Sequence, residues 1–336
     1  MAGGVRPASA AGNGLYSVFP AHIAGNAARP YFNYLVNPSS TIKDAVTVTN
    51  FTAESIAFKL YSTDAVNAQN GGDFAYNSAE APKHSVGAWV QLSAVGFTLP
   101  PHTLANVPFT LDVPAGMTPG DYAGGIVLQT LNPTVEKRGA LTFDVYQNVG
   151  TRVYVRIAGP LHPSVSITHL SIDTHGWAGL VGGPVNAVVT YTLTNTGNEI
   201  LNPTARLSLS PLAGSTVNLP PKLFASLLPH NSGTVTYLVK NQEALLKISA
   251  DLKVTSRAGP ITASTTAWVI PWLLILALIL LGLLFWWWRR RRRRRRAVAA
   301  AVVVGAAAGG PESAAAAAEV STGAVDGGAS PGSTGG

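Results

Sequence analysis

Residues 46–61 read VTVTNFTAESIAFKLY, and residues 189–209 read VTYTLTNTGNEILNPTARLSL. Each is a β-branched run that stops at an asparagine-bearing turn, Asn50 in one and Asn195 in the other, and then resumes as strand-like sequence. The likeness recurs downstream, where LPPHTLANVPFTLDV (99–113) and LLPHNSGTVTYLV (227–239) both set a Pro-His turn before a later strand. A weak repeat of this kind predicts two units of one topology.

Outward from these stretches, strands are expected at Ala45–Asn50, Ile56–Ser62, Ala88–Leu92, Ala105–Val113, Gly124–Thr130, Ala140–Gln147 and Thr151–Ile157. Within the last, Val153, Val155 and Ile157 alternate with Arg152, Tyr154 and Arg156, the period of a strand with one solvated face. Seven strands in about 130 residues suit an immunoglobulin-like sandwich. The second unit is expected to place strands near Val165–Ile172, Val185–Asn195, Thr204–Ser210, Gly233–Lys240 and Ile248–Thr255. Gly159-Pro160-Leu161-His162-Pro163 reads as a short stiff linker. The expected fold is thus all-β: immunoglobulin-like β-sandwich domains at 15–158 and 159–267, then one C-terminal transmembrane helix and a disordered tail.

That helix is expected at Trp268–Trp288, whose sequence WVIPWLLILALILLGLLFWWW has no charged side chain. At about 1.5 Å per residue it would be roughly 31 Å long, close to the hydrocarbon thickness of a bilayer. Trp268 and Trp272 bracket one end and Trp286, Trp287 and Trp288 the other, where indole rings favour the headgroup level. Pro271 would fall in the first turn, where its missing N–H costs least. A buried soluble helix is the competing reading, but this one is apolar on every side. Arg289, Arg290 and the six arginines to Arg296 follow directly, and cations beside a membrane helix favour the cytoplasmic side. The expectation is a single-pass membrane protein with its domains extracytoplasmic and its C-terminus inside, held by the lipid bilayer. Attraction of the arginines to anionic lipid belongs to that reading.

The formal net charge is +7, and without the arginine run it is −1, so the high isoelectric point is local. Before Trp268 the balance is nearly neutral and holds no basic run, which argues against nucleic-acid binding. With no cysteine in the chain, disulfides, thiolate metal sites and a cysteine nucleophile are excluded. Residues 1–14 lack an apolar run, yet Ala8-Ser9-Ala10 resembles a cleavage site, so they are expected to be disordered or the remnant of a signal peptide whose apolar part lies upstream. The 289–336 segment passes from arginines to Ala, Gly, Val, Ser and Pro, a composition with too little large apolar surface to offset ordering entropy. Leu99-Pro100-Pro101-His102-Thr103 lies far too early to be a sortase signal, so retention by the helix itself is the better reading.

Several separated motifs then occur in order: Tyr31-Phe32-Asn33-Tyr34, VTVTNFTAESIAFKLYSTDA, Gly71-Gly72-Asp73-Phe74, Val86-Gly87-Ala88-Trp89-Val90, and LPPHTLANVPFTLDVPAGMTPGDYAGGIV. Together they resemble the N-terminal domain of the bacterial WxL-interacting surface proteins, over about Tyr16 to Ile157. The resemblance implies an exported, membrane-anchored protein whose first domain binds peptidoglycan and whose second binds WxL surface proteins or host ligands. The second unit matches in position and fold type only, and the alanine-rich tail departs from the pattern.

In Pro119-Gly120-Asp121-Tyr122-Ala123-Gly124-Gly125, Pro-Gly suits a type II turn and Tyr122 can bond back to the turn as a tyrosine corner does. The glycines permit close approach of backbone or of a ligand. Trp89 reads as the core tryptophan of a central strand, with an exposed sugar platform as the alternative. Asp64, Asp73 and Asp121 are weighed as a hydrolase pair or calcium site against Asx-turn caps, and the turn reading is favoured. Trp89, Asp73, Asp121, Tyr122, Gly124 and Gly125 are the candidate glycan- or partner-contacting residues. His102 and His230 each follow a proline in a turn and are expected in solvent. Without an HExxH, a GxSxG elbow or a phosphate loop, neither catalysis nor a metal or cofactor is expected. The partners expected are peptidoglycan or another wall polymer, and a second exported surface protein recruited at exposed strand edges.

Overall fold

The computed structural model describes residues 13–22, 28–139, 141–212, 214–243 and 246–308. The expected signal remnant, but for residues 13 and 14, and the tail beyond Ala308 lie outside the described residues. The chain divides into a β-rich unit ending at Pro271 and a helical unit from Trp272.

The first half of the β-rich unit runs β1 (Tyr16–Pro20), β2 (Phe32–Val36), β3 (Thr41–Asn50), β4 (Ile56–Asn67), β5 (Phe74–Tyr76), the helical turn α1 (Val86–Trp89), β6 (Val90–Leu92), β7 (Gly96–Leu99), β8 (Leu104–Asp112), β9 (Gly120–Thr130), β10 (Thr134–Arg138), β11 (Leu141–Val145) and β12 (Asn148–Ile157). One sheet has the order β1-β3-β8-β6. Facing it is β2-β12-β9-β4-β5, with β7 also on β4, while β10 and β11 form a separate hairpin. Inward residues of both sheets close one core around Tyr16, Phe32, Phe58, Leu60, Leu111 and Ile126, all 1% exposed or less. Aromatic edges lock its centre, with Phe32 against Phe109 at 5.1 Å and Tyr16 against Phe58 at 5.2 Å.

The second half runs β13 (Val165–His175), a 3-10 turn at Trp177–Val181, β14 (Val185–Asn195), β15 (Thr204–Pro211), β16 (Val217–Asn218), β17 (Lys222–Leu223), β18 (Ser232–Gln242), β19 (Leu246–Ser256) and β20 (Gly259–Val269). Its sheets are β13-β14-β18 and β16-β15-β19-β20, with β17 also on β15. In β14 buried positions alternate strictly with half-buried or exposed ones, as a strand facing one core requires. A second core gathers Tyr191, Leu193, Leu209, Phe224, Ile248 and Val254. The architecture is therefore all-β, built of two sandwiches.

The paired asparagines perform one task in both. Asn50, fully buried, donates from Nδ2 to the carbonyls of Glu54, Leu99 and Pro100 at 2.7, 3.1 and 3.0 Å, while its Oδ1 accepts from Thr52 N–H. Asn195, also fully buried, donates to Glu199 and Leu227 carbonyls at 2.7 and 2.9 Å and accepts from Gly197 N–H. Each side chain satisfies backbone groups of two turns that would otherwise be buried unpaired. His102 and His230 stand in matching turns, with φ of 51° and 59°.

Several expectations change. Ala88–Leu92 is not one strand: Val86–Trp89 makes a helical turn before β6. Here Asp64, 8% exposed, accepts from the N–H groups of His84, Ser85 and Gly87 and holds the turn's entry, so it is a buried anchor and not an exposed turn cap. The long helix, α2, spans Trp272–Ala308. Trp268 pairs with Lys247 as part of β20, so the strand continues where the helix was expected to begin. Pro271 accordingly precedes the helix. Alternating small and β-branched residues in GPITASTTAWV suit an edge strand, a signal masked in the sequence by the apolar run beyond it.

Candidate functional site

The outer face of the β2-β12-β9-β4-β5 sheet meets the second sandwich along part of its width. Asp121, 8% exposed, takes the Arg156 guanidinium through both oxygens, at 2.5 and 2.7 Å, and accepts from Ile200 N–H at 2.8 Å. Glu199, 4% exposed, is shared by Arg156 at 3.4 Å and Arg257 at 2.8 Å. The bidentate carboxylate raises the Arg156 pKa, so this cation is committed to the seam. A second patch centres on Asn67, which donates to Gly72 and Ser226 carbonyls and accepts from Leu228 N–H at 2.9 Å. There Gly71 N–H donates to the Thr234 carbonyl at 2.7 Å. A Cβ on Gly72 would stand 2.5 Å from Phe224, so only glycine allows the loop to close this tightly.

Beside the seam lies a cleft of ≈ 620 Å³ that draws residues from both halves. Its first-sandwich wall is Asn33 and Leu35 on β2 with Arg152, Tyr154 and Arg156 on β12. Its second-sandwich wall includes Ile200, Asn202 and Ser226. The parallel pairing of β2 with β12 sets Asn33 opposite Tyr154. Tyr31, 42% exposed, meets Tyr154 edge-on at 5.4 Å, and Tyr154 meets Phe74 at 6.0 Å. The Arg152 guanidinium lies 4.6 Å from the Phe74 ring centre and has no carboxylate partner among the described residues. Two rings and a cation without a carboxylate partner thus share one open wall with amide and hydroxyl groups. Such a surface can stack on the C–H face of a sugar, hydrogen-bond its hydroxyls and pair with a carboxylate.

Outside the cleft lining, Asp44 on β3 takes Arg29 through both oxygens, at 2.7 and 3.0 Å, and accepts from the Tyr34 hydroxyl at 2.8 Å. Burial by itself would raise the Asp44 pKa, but Arg29, the Ala45 N–H and Tyr34 outweigh it and hold the carboxyl below its usual range. Burial, with the adjoining carboxylate, pushes the Tyr34 phenol well above its ordinary value.

The candidate residues separate sharply. Asp121 and Tyr122 line the cleft, Asp121 through its structural ion pair. Tyr122 donates from its hydroxyl to the Thr118 carbonyl at 3.0 Å, four residues back, in the manner of a tyrosine corner. Its ring stands 5.0 Å from that of Trp89. Trp89 is 4% exposed and packs in the core, which removes it as a sugar platform. Gly124 and Gly125 face protein: a Cβ on the first would meet Val86 and Thr63, and one on the second would fall within the Tyr76 ring. Their smallness is used for packing. Asp73 is at the seam, 3.2 Å from Lys222. Asx-turn capping therefore gives way at both Asp73 and Asp121 to pairing across the two halves. Gly120, at φ 145°, opens β9 and is not a type II turn centre; a Cβ there would meet the Asn198 carbonyl at 2.7 Å.

Trp272, Trp286, Trp287, Trp288, Arg289 and Arg290 all project from α2, while Trp268 projects from β20. Trp272–Arg292 is long and apolar enough to cross a membrane. Arg290, Arg291 and Arg292 each lie over the tryptophan one turn earlier, at 5.1, 4.9 and 3.7 Å.

The cleft residues that sequence reasoning missed are Tyr31, Arg152 and Tyr154, with Phe74 packed against Tyr154. Arg152 and Tyr154 carried the signal of an outward face, and Tyr31 and Phe74 stood in the family motifs. Among the described residues no group of three or more His, Asp or Glu side chains could hold a metal ion.

Comparison with known proteins bears on the first sandwich. Residues 17–130 match the family described as "WxL Interacting Protein, peptidoglycan binding domain". That match runs from the second residue of β1 to the end of β9 and stops before β12, which carries Arg152 and Tyr154. No curated protein matches the chain. Solved structures with some likeness include a chaperone-tip adhesin complex of CFA/I fimbriae biogenesis, at 10% identity and TM-score 0.35, covering 74% of this chain and 98% of that one. Another is the CsuC-CsuE chaperone-tip adhesion subunit pre-assembly complex of Acinetobacter baumannii, at 12% identity and TM-score 0.33, covering 70% and 94%. A third is the CupB2 chaperone of Pseudomonas aeruginosa, at 9% identity and TM-score 0.29, covering 70% and 96%. Likeness at this level carries no functional meaning for this chain.

Proposed function

From the match of residues 17–130 to the peptidoglycan-binding domain family of the WxL-interacting proteins, we infer a non-enzymatic cell-wall-binding surface protein whose ligand lies in the cleft beside the seam. The observation that carries the site assignment is the open wall of Tyr31, Tyr154 and Arg152 next to Asn33 and Asn202. Peptidoglycan combines sugar rings, for which exposed aromatic faces are suited, with peptide carboxylates, for which a guanidinium lacking a carboxylate partner is suited. The helix at Trp272–Arg292 serves as a single-pass anchor, with the arginines inside and the sandwiches outside. Domain limits of 15–158 and 159–267 belong to the same reading.

The test is retention of the ectodomain on purified sacculi. Tyr31→Ala and Arg152→Ala alter exposed side chains, and each should weaken retention by about 2- to 10-fold. If the wild-type ectodomain is not retained, wall binding is wrong; if it is retained and both variants match it, the ligand lies elsewhere. Protease added to wall-stripped cells should degrade the sandwiches and leave a C-terminal tag intact; digestion of the tag would overturn the orientation.

A second reading rests on β20, whose outer edge pairs with no strand among the described residues. An exported partner could add a strand there. Crosslinking from intact cells that recovers such a protein attached to residues 259–269 would favour it.

A further inference from the structure

The two ends of the second sandwich are unlike. One carries the Asn195, Glu199 and Arg257 turns and packs on the first sandwich. The other is bare and apolar. Trp177 is 88% exposed, Trp268 68%, Leu212 64%, Val181 55%, Leu246 40% and Ile270 36%. Pairing brings these scattered residues together: Leu246 is opposite Val269 and Lys247 opposite Trp268, while Leu212 N–H donates to the Lys247 carbonyl at 2.9 Å. The 3-10 turn is tied to the same end by Gly179, where an added Cβ would stand 2.6 Å from Val185 and 3.1 Å from Val269. Large apolar side chains gathered and exposed in this way mark a surface that meets another phase or molecule.

We propose that this end of the second sandwich rests in the headgroup layer of the bilayer's outer leaflet, with Trp177 and Trp268 immersed as interfacial indoles. The inference depends on the anchoring role of α2 proposed above. Two residues, Ile270 and Pro271, separate β20 from the helix. At about 3.5 Å per residue they hold the end of β20 within roughly 10 Å of the first residue of the span. A lipid surface is therefore the one apolar neighbour that the covalent chain itself delivers to this end. Indole rings, apolar within and N–H donors at the rim, favour that layer. Lys247, beside Trp268, is placed to extend its ammonium to lipid phosphate.

The chain has no cysteine, so single cysteines can be placed without background. Trp177→Cys, Val181→Cys, Leu281→Cys and Val95→Cys would each be labelled with an environment-sensitive dye in the full chain. Each would then be reconstituted into phosphatidylglycerol–phosphatidylcholine vesicles with and without brominated acyl chains. All four side chains are at least half exposed, so no core is disturbed. Labels at 177, 181 and 281 should be quenched several-fold by the brominated lipid, and the label at 95, on the first sandwich, should not. Quenching at 281 with none at 177 and 181 would overturn the inference and leave the anchor standing. Blue-shifted but unquenched labels at 177 and 181 would show that protein covers this end, which also overturns it. Absence of quenching at 281 would remove the anchor and the inference together, and quenching at 95 would show indiscriminate lipid contact and remove the specific docking.

Discussion

Strand for strand, β3, β8, β4, β9 and β12 of the first sandwich pair as β14, β18, β15, β19 and β20 do in the second. The difference lies in what each half adds. In the first, β2 lies parallel on the outer edge of β12, with Val155 opposite Tyr34, and α1 with β5 to β7 fills the stretch between β4 and β8. In the second, β20 ends its sheet with no ladder partner on its outer side, although β13 packs close to it, and only the short β16 and β17 occupy the corresponding stretch. A shared frame thus serves two ends. Additions on the first half cover an edge and build a cleft wall, whereas the plainer second half leaves an edge without a ladder partner and an apolar rim exposed.

The largest effect expected from breaking this comparison is at the shared asparagines. Asn50→Ala and Asn195→Ala each strand two or three buried carbonyls, and each should cost about 3 kcal/mol of unfolding free energy by chemical denaturation. Unequal losses, with one variant near wild type, would mean the turns are not held alike. Next is the seam. Arg156→Ala leaves Asp121 and Glu199 short of a partner, and with the arginine 39% exposed the discounted loss is about 2 kcal/mol. Calorimetry of that ectodomain variant should resolve two transitions where the wild type shows one. A single unshifted transition would show that the ion network does not couple the halves.

A subtler difference separates the homologous strands β12 and β20. Amides on the outer edge of β20 should exchange with deuterium at least about tenfold faster than those of β12, which β2 covers. Equal protection would point to a partner on the β20 edge. The smallest effect concerns Asp44. Because its folded pKa lies below the unfolded value, its stabilisation is present above the ordinary carboxylate range and is lost as pH falls through the folded pKa. Asp44→Asn should therefore destabilise the ectodomain at neutral pH, and the difference from wild type should shrink below about pH 4. A pH-independent difference would assign the loss to packing.

The sequence by itself determined the strand-rich class, the paired asparagine and Pro-His turns, the apolar helix and its arginine run. These are local patterns: a period of two, a turn residue, an uninterrupted apolar length. It also carried the family motifs over the first sandwich. Only the tertiary structure decided which residues meet at the candidate site. Arg152, Tyr154 and Arg156 alternate alike along one strand, but Arg156 is bound by carboxylates 35 and 43 residues away while Arg152 is left to the cleft. Trp89, Gly124 and Gly125 looked open to a ligand, and burial claimed all three. Trp268 looked like helix because the apolar run begins there, yet eleven register pairs with β19 hold its segment as a strand. The physical reason is common to these cases: alternation and turn chemistry are properties of neighbouring residues, whereas solvent access and charge pairing depend on residues that only folding brings together.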